Sequence, residues 1–150
     1  MESSLGIAAN NYLHIQMMDN KWGSGDPTQY LTNNYFAAYD DHEYVGFSGT
    51  TASQSNYLQY SCKDDRGGNW PVIVGEWSLH VDDAHQFDSQ FWPISNNLQF
   101  YQKWFNAQVR SYEKQSGWVF WSWKTNLGDP RWDYSGRSNL CGSSPLLTML

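Results

Sequence analysis

Pro71-Val72-Ile73-Val74-Gly75-Glu76-Trp77-Ser78 is the stretch on which the fold of this chain turns. Four apolar or ring-constrained residues run without interruption into a glycine and then a carboxylate. The run is too short for a helix, and a continuous apolar segment without alternation reads as a strand buried on both faces, as in parallel sheets. On its N-terminal side lies the turn-forming Asp64-Asp65-Arg66-Gly67-Gly68, and before that a helix from Ser53 to Cys62. On its C-terminal side a helix from Leu98 to Gln115 is expected, because Leu98, Tyr101, Phe105, Val109 and Tyr112 recur at helical spacing. Gly117 closes that helix, and Trp118-Val119-Phe120-Trp121-Ser122-Trp123 reads as the last strand.

The N-terminal part repeats the alternation. Tyr12-Leu13-His14-Ile15-Gln16-Met17-Met18 reads as a short buried strand, followed by the turn-rich loop Trp22-Gly23-Ser24-Gly25-Asp26-Pro27 and a helix from Thr28. Phe36-Ala37-Ala38-Tyr39-Asp40-Asp41-His42 is a further strand with polar residues at its C-terminal end. Strand-helix alternation with buried strands gives an α/β fold with a parallel sheet. Chemistry-bearing residues gather at strand C-terminal ends, at His42, Glu76 and around Trp121, where the loops of a (β/α) barrel build active sites. Four strands cannot close an eight-stranded barrel, so the pattern is that of half a barrel, in one compact domain without repeat or linker.

Composition narrows the function. Aromatic residues make up 17% of the chain, with Trp 9 and Tyr 10, while charged residues are only 16%. Trp and Tyr join a large apolar face to a polar edge, the combination that packs on a sugar ring and takes its hydroxyls, although cores and protein interfaces use it too. The formal net charge is -6 without a Lys/Arg cluster, which speaks against a nucleic-acid partner. No apolar run approaches the ~20 residues of a spanning helix, and Met1-Glu2-Ser3-Ser4-Leu5-Gly6 lacks the features of a secretory signal. Cys62 and Cys141 form no metal-ligand spacing and could be one disulfide or two free thiols.

Several residues could carry chemistry. Glu76 could act as a nucleophile at an anomeric carbon, while a strand-end Glu alone more often caps a helix or pairs with an arginine. His42 and Tyr44 stand two apart, so both can point to one side; the Tyr hydroxyl could donate to the Glu76 carboxylate and the His could hold a substrate hydroxyl. Among Trp118, Phe120, Trp121 and Trp123, at most half can line a cleft, since one face must pack under helices. Trp22, on its glycine-rich loop, is a separate candidate for sugar stacking, against lid or core packing. His80-Val81-Asp82-Asp83-Ala84-His85 has metal-ligand types but matches no spacing template, and no metal or cofactor is expected. Neither a phosphate-binding glycine loop nor a Gly-x-Ser-x-Gly elbow occurs.

Taken in order, Ile15 to Met18 with Trp22 to Pro27, Tyr39-Asp40-Asp41-His42-Glu43-Tyr44, Val72 to Ser78, Gly117 to Thr125 and Arg131-Trp132-Asp133-Tyr134 resemble fungal enzymes of glycoside hydrolase family 5. The resemblance is to the endo-β-1,6-glucanase and exo-β-1,3-glucanase branches, and the Asp-Asp-His-x-Tyr form and the Trp-Gly-Ser-Gly-Asp-Pro loop look most like the former. It implies strands five to eight of a (β/α)8 TIM barrel, with residues 1–134 as the C-terminal half of a glycoside hydrolase barrel. It further implies Glu76 as nucleophile, His42 and Tyr44 as its His-x-Tyr pair, and Trp121, or alternatively Trp123, as the floor of the sugar subsite. The implied partner is a β-glucan polysaccharide or oligosaccharide, met outside the cell, with no nucleic acid and no membrane.

Two departures qualify the expected activity. The family's general acid/base is the Glu of an Asn-Glu pair after strand four, and this chain contains no Asn-Glu dipeptide. Retention requires two carboxyl groups ~5–5.5 Å apart; Asp19, Asp40, Asp41 and Glu43 are carboxylates in range of the mouth, none at the acid/base position. Residues 135–150 are polar, poor in helix formers and read as an atypical tail, disordered or mis-translated, which leaves a disulfide of Cys62 with Cys141 as conjecture. The expectation is a retaining β-glucanase inactive as this piece alone. The alternative is a non-catalytic carbohydrate-binding pseudoenzyme or truncated gene product.

Overall fold

The computed structural model describes residues 15–18, 37–66 and 71–135. Strands β1 (Ile15–Met18), β2 (Ala37–Glu43), β3 (Val72–Trp77) and β4 (Trp118–Phe120) form one parallel sheet in the order β1-β2-β3-β4. Helices α1 (Gln54–Lys63) and α2 (Leu98–Tyr112) provide the crossovers between β2, β3 and β4. The α/β class with parallel, sequentially ordered strands is therefore observed. The expected helix from Thr28, the loop of Trp22, Asp19, Cys141 and the tail lie outside the described residues.

Both helices end where local chemistry dictates. Ser53 caps α1, its side chain accepting from the Asn56 backbone N–H at 3.1 Å, which supplies a partner that the first helical turn lacks. The expected extension of α2 to Gln115 is corrected to Tyr112: Lys114 and Gln115 bond back only three residues, to the Ser111 and Tyr112 carbonyls, so the last turn tightens. Similarly, β4 stops at Phe120. Beyond it Ser122 N–H donates to the Trp132 carbonyl, and the Tyr134 and Ser135 N–H groups to the carbonyls of Ser122 and Trp123. The last apolar run thus leaves the sheet to pair with the segment after it.

The core lies between the sheet and the two helices. Trp77 is fully buried, with its ring 5.0–5.3 Å from those of Phe105, Tyr112, Trp118 and Phe120. Three of these contacts, with Tyr112, Trp118 and Phe120, are edge-to-face, packing that adds to the burial of apolar area. Trp104 Nε1 donates to Ser61 Oγ at 3.0 Å and ties α2 to α1. Much of the aromatic content is consequently structural.

One bulge sets the faces of β3. Asp41 pairs with Val74 but His42 with Glu76, so Gly75 is an extra residue in the ladder. Strict alternation from buried Val72 and Val74 would turn Glu76 toward the helices. After the bulge it is Trp77 that enters the helix-side core, and Glu76 faces the other way. A Cβ on Gly75 would lie 1.9 Å from Asp40 Oδ1, so no other residue fits without moving that carboxylate.

The helix-side face of β2 holds a buried ionic cluster. Arg66 donates from Nε and Nη2 to both oxygens of Asp41, at 2.5 and 2.8 Å, and from Nη1 to Glu43 and Asp64. Asp41 and Glu43 are buried under α1, which corrects their expected place at the mouth: strand alternation puts them opposite Asp40 and His42. Burial disfavours the Arg66 charge, but the Asp41 hydrogen bonds and the surrounding carboxylates outweigh it and hold the group protonated. Three carboxylates share one guanidinium, and burial together with Asp64 and Asp41 overcomes the opposing pull of Arg66, pushing Glu43 up to about 7 from its ordinary 4.5.

A carboxyl with a raised folded-state pKa stabilises the fold fully below about 4.5 and loses that contribution as pH rises through about 7. Glu43→Gln, which keeps the shape without the charge, should be insensitive to this change. Urea midpoints of both chains between about pH 5 and about pH 8 should show the difference shifting in favour of the variant as pH rises. A pH-independent difference would count against a proton held at Glu43.

Candidate active site

At the C-terminal end of the sheet, on the face away from α1 and α2, the side chains of β2 and β3 converge. The bulge sets His42 beside Glu76, and Tyr44 follows β2 directly. The Tyr44 hydroxyl donates to Glu76 Oε2 at 2.9 Å, and His42 Nδ1 lies 3.4 Å from the same oxygen. On the other side of the ring, His42 Nε2 is 3.3 Å from Asp40 Oδ2. Glu76 keeps 30% of its side-chain surface exposed, so it combines a fixed donor, the Tyr44 hydroxyl, with access from solvent.

Burial, the hydrogen bond to Glu76 and that carboxylate's charge all push the Tyr44 hydroxyl up from its ordinary value. It therefore keeps its proton near neutral pH, where a carboxylate is ionised. The Tyr44 ring packs against Trp132 at 5.6 Å and edge-on against Phe47 and His80. Buried His80, whose proton affinity is lowered by desolvation despite Asp83, stacks on Phe47 at 3.9 Å. Gly46 makes room for that ring, since a Cβ there would lie 2.3 Å from His80 Nδ1. An open depression of about 440 Å³ lies at the end of β2, lined by His42, Tyr44, Phe47 and Ser48 on one side and by Glu43, Tyr60 and Arg66 of the ionic cluster on the other.

Trp132 is held by a second clamp. Arg131, 2% exposed, pairs through Nε and Nη2 with Asp129 and reaches Gln86 in the connection between β3 and α2. The Leu79 N–H donates to the Arg131 carbonyl at 3.2 Å, which fastens the two segments beside the site.

The expected residues divide clearly. Glu76, His42 and Tyr44 are brought together on one carboxylate oxygen. Trp121 is adjacent, its N–H donating to the Trp77 carbonyl at 2.8 Å, and its side chain is 48% exposed. Trp123 is 70% exposed and stacks on Tyr134 at 5.7 Å. Trp118 and Phe120 pack on the helix side, so the division of aromatics between two faces holds. Trp22 lies outside the described residues. Sequence reading gave no role to Asp40 as a partner of His42 or to Trp132 as a wall against Tyr44. Strand alternation from His42 would have indicated the first; nothing in the sequence marks the second, which depends on the fold of a distant segment.

His80 and His85 diverge, His80 toward Asp83 and His85 to an exposed pairing with Asp88 at 3.5 Å. Among the described residues no group of three or more His, Cys, Asp or Glu is arranged to hold a metal, and no helix is long and apolar enough to cross a membrane. Cys62 is an exposed free thiol on α1.

No family model matches the chain. Individual proteins do. The chain is 63% identical over 134 residues to glucan endo-1,6-beta-glucosidase B of Emericella nidulans, a match covering 89% of this chain and 32% of that protein. It is 57% identical over 133 residues to the probable glucan endo-1,6-beta-glucosidase B of Neosartorya fischeri, covering 89% and 33%. The probable glucan 1,3-beta-glucosidase A of Neosartorya fischeri is 28% identical over 127 residues, covering 63% and 30%. The resemblance to both fungal glucanase branches is therefore borne out, with the greater identity to the proteins named for the 1,6 linkage. The chain spans about a third of the length of the relatives it matches.

Proposed function

We propose that Glu76 is the nucleophile of a retaining β-glucan hydrolase site, of which this chain supplies the nucleophile, its Tyr44 hydrogen-bond donor with His42 beside it, and part of the sugar platform. The observation that carries the reading is the convergence of Tyr44 and His42 on Glu76 Oε2 at the C-terminal end of a parallel sheet. This is where a (β/α)8 barrel places its catalytic groups, and the partial barrel, its strands five to eight, is part of the proposal. With Oε2 engaged, Oε1 attacks the anomeric carbon. The C1–O bond to the leaving sugar breaks, its oxygen takes a proton from a separate acid, and a glycosyl ester forms on Glu76. Water then attacks C1, gives up its proton to the same second group, and releases Glu76 with the original configuration.

Trp121 is the proposed floor under the sugar, with Trp123 as the alternative position and Trp22 as a stacking residue. The substrate is cell-wall β-glucan, with the 1,6 linkage favoured by the higher identity to the proteins named for it; action is extracellular. Support for a missing step also comes from the site. Asp41 and Glu43 are committed to Arg66, Asp40 is set beneath Gly75, and the chain has no Asn-Glu pair. The chain alone is therefore expected not to hydrolyse unactivated glucan.

A 2-deoxy-2-fluoro-β-glucosyl fluoride separates the nucleophile from the acid, because fluoride leaves without protonation. Mass spectrometry after digestion should find a glycosyl ester on the Glu76 peptide. Tyr44→Phe, which removes one donor from the attacking carboxylate, should slow labelling roughly 10- to 100-fold, about 1.4–2.7 kcal/mol of barrier. Labelling on another carboxylate, or none, would sink the assignment.

The exposed Trp121 and the Trp123–Tyr134 stack favour one alternative, glucan binding without turnover in a pseudoenzyme or truncated product. Binding to β-1,6-glucan that Trp121→Ala abolishes, in a chain that never labels, would establish it.

A further inference from the structure

Tyr44 stands just beyond β2, at the start of the short helical turn Val45–Phe47, where no strand ladder holds its backbone. Its phenol oxygen lies at the end of a long rigid ring, so a small rotation about the side-chain torsions carries it out of reach of Glu76. The hydrogen bond of 2.9 Å to Glu76 Oε2 therefore depends on what packs against the ring. Phe47 and His80 approach it edge-on at 6.0 and 6.5 Å, and Phe47 is itself 66% exposed. Trp132 makes the nearest and flattest contact, at 5.6 Å with the planes inclined by 35°. It also lies 5.3 Å from His80 and so braces a second ring of the group.

The backbone of Trp132 is fixed on both sides. Its N–H donates to the Asp129 carbonyl at 3.0 Å, and its carbonyl accepts from Ser122 N–H at 2.9 Å. The Arg131 carbonyl just before it accepts from Leu79 N–H, two residues beyond Trp77 at the end of β3. The buried Arg131 side chain binds Asp129 through Nε and Nη2, and Gln86 through Nη1 and Nη2. A buried ion pair adds little net stability once desolvation is counted. Trp132 does not belong to the helix-side core, so packing there does not account for the frame around it. What the frame does is set one tryptophan ring against Tyr44.

We propose that Trp132 is a positioning residue for the nucleophile: held in place by Arg131, its ring fixes the Tyr44 phenol so that the hydroxyl stays on Glu76 Oε2. It acts through Tyr44 and not on the sugar. Released from Trp132, the hydroxyl would exchange Glu76 for water, and the carboxylate would lose the donor that orients it. The role rests on the reading of Glu76 as nucleophile.

Saturation kinetics of Glu76 labelling by 2-deoxy-2-fluoro-β-glucosyl fluoride test it in the whole chain. Trp132→Leu should lower the maximal rate about 10-fold and leave the half-saturating concentration within about twofold. Trp132→Phe, which keeps a ring against Tyr44, should stay within about threefold of the wild-type rate. In a Tyr44→Phe chain the ring remains without its hydroxyl, so adding Trp132→Leu should cost less than about twofold more. Carbon NMR at tyrosine Cζ gives a reading that needs no labelling, with Tyr44 assigned through its loss in Tyr44→Phe. The wild-type Tyr44 hydroxyl should keep its proton beyond the ordinary value of about 10, and Trp132→Leu should bring its ionisation down toward that value.

Losses that multiply in the double variant overturn the proposal and leave Glu76 in place as nucleophile. So does a folded Trp132→Leu chain that labels at the wild-type rate. A wild-type Tyr44 that ionises at about 10 in the folded chain overturns it without any variant. Absence of labelling in the wild-type chain overturns the nucleophile reading and the positioning role together.

Discussion

Glu76→Gln is expected to abolish formation of the glycosyl ester, lowering labelling by at least about 1,000-fold, equivalent to roughly 4 kcal/mol of barrier. The amide keeps the size of the side chain and still accepts from Tyr44, but its neutral oxygen neither attacks C1 effectively nor leaves as a carboxylate. Because Glu76 is partly exposed and lies outside the helix-side core, the melting transition should be nearly unchanged. That separation of reactivity from stability makes the result interpretable. A Glu76→Ala chain gives a further check. Azide can enter the space left by the carboxylate and displace fluoride in one step, so the product should be the α-glucosyl azide. Undiminished labelling in Glu76→Gln would remove the basis for a retaining site in this chain.

Arg66→Met has the largest expected effect on stability, a loss of about 3–5 kcal/mol near neutral pH. Removing the guanidinium leaves Asp41 and Glu43, at 0% and 6% exposure, side by side under α1 with no counter-charge. Part of the loss should be regained on acidification, as the stranded carboxyls take up protons and stop repelling each other. Replacing Asp41 and Glu43 with apolar residues in the same chain should recover most of the remainder, because apolar packing often substitutes for a buried ion pair. Denaturant midpoints of the three chains test this. An Arg66→Met chain as stable as the wild type would mean that the cluster does not hold β2. The site depends on that hold, since the strand that turns Asp41 and Glu43 inward turns Asp40, His42 and Tyr44 to the opposite face.

The sequence by itself determined the types and order of the described strands and helices, and it singled out the residues proposed above as a site. An unbroken apolar run ending in Gly75-Glu76, helical spacing from Leu98, and Ser53 before a helix are local signals, and each described strand and α-helix formed within a few residues of its expected position. His42 and Tyr44 were legible as partners of one carboxylate because a separation of two in extended chain fixes a common side.

What only the tertiary structure decided is which way Glu76 points. Read by alternation from Val72 and Val74, it would turn toward α2; the Gly75 bulge reverses the face, and the space that Asp40 needs at that glycine is contributed by another strand. The fate of the other carboxylates was equally out of reach of the sequence. Asp41 and Glu43 resemble Asp40 in type and neighbourhood, and they are withdrawn from the mouth by Arg66, which lies just beyond the end of α1. Local spacing specifies which residues share a strand face. Which face meets the helices, and which charge meets which partner, is set by contacts between strands and helices distant along the chain.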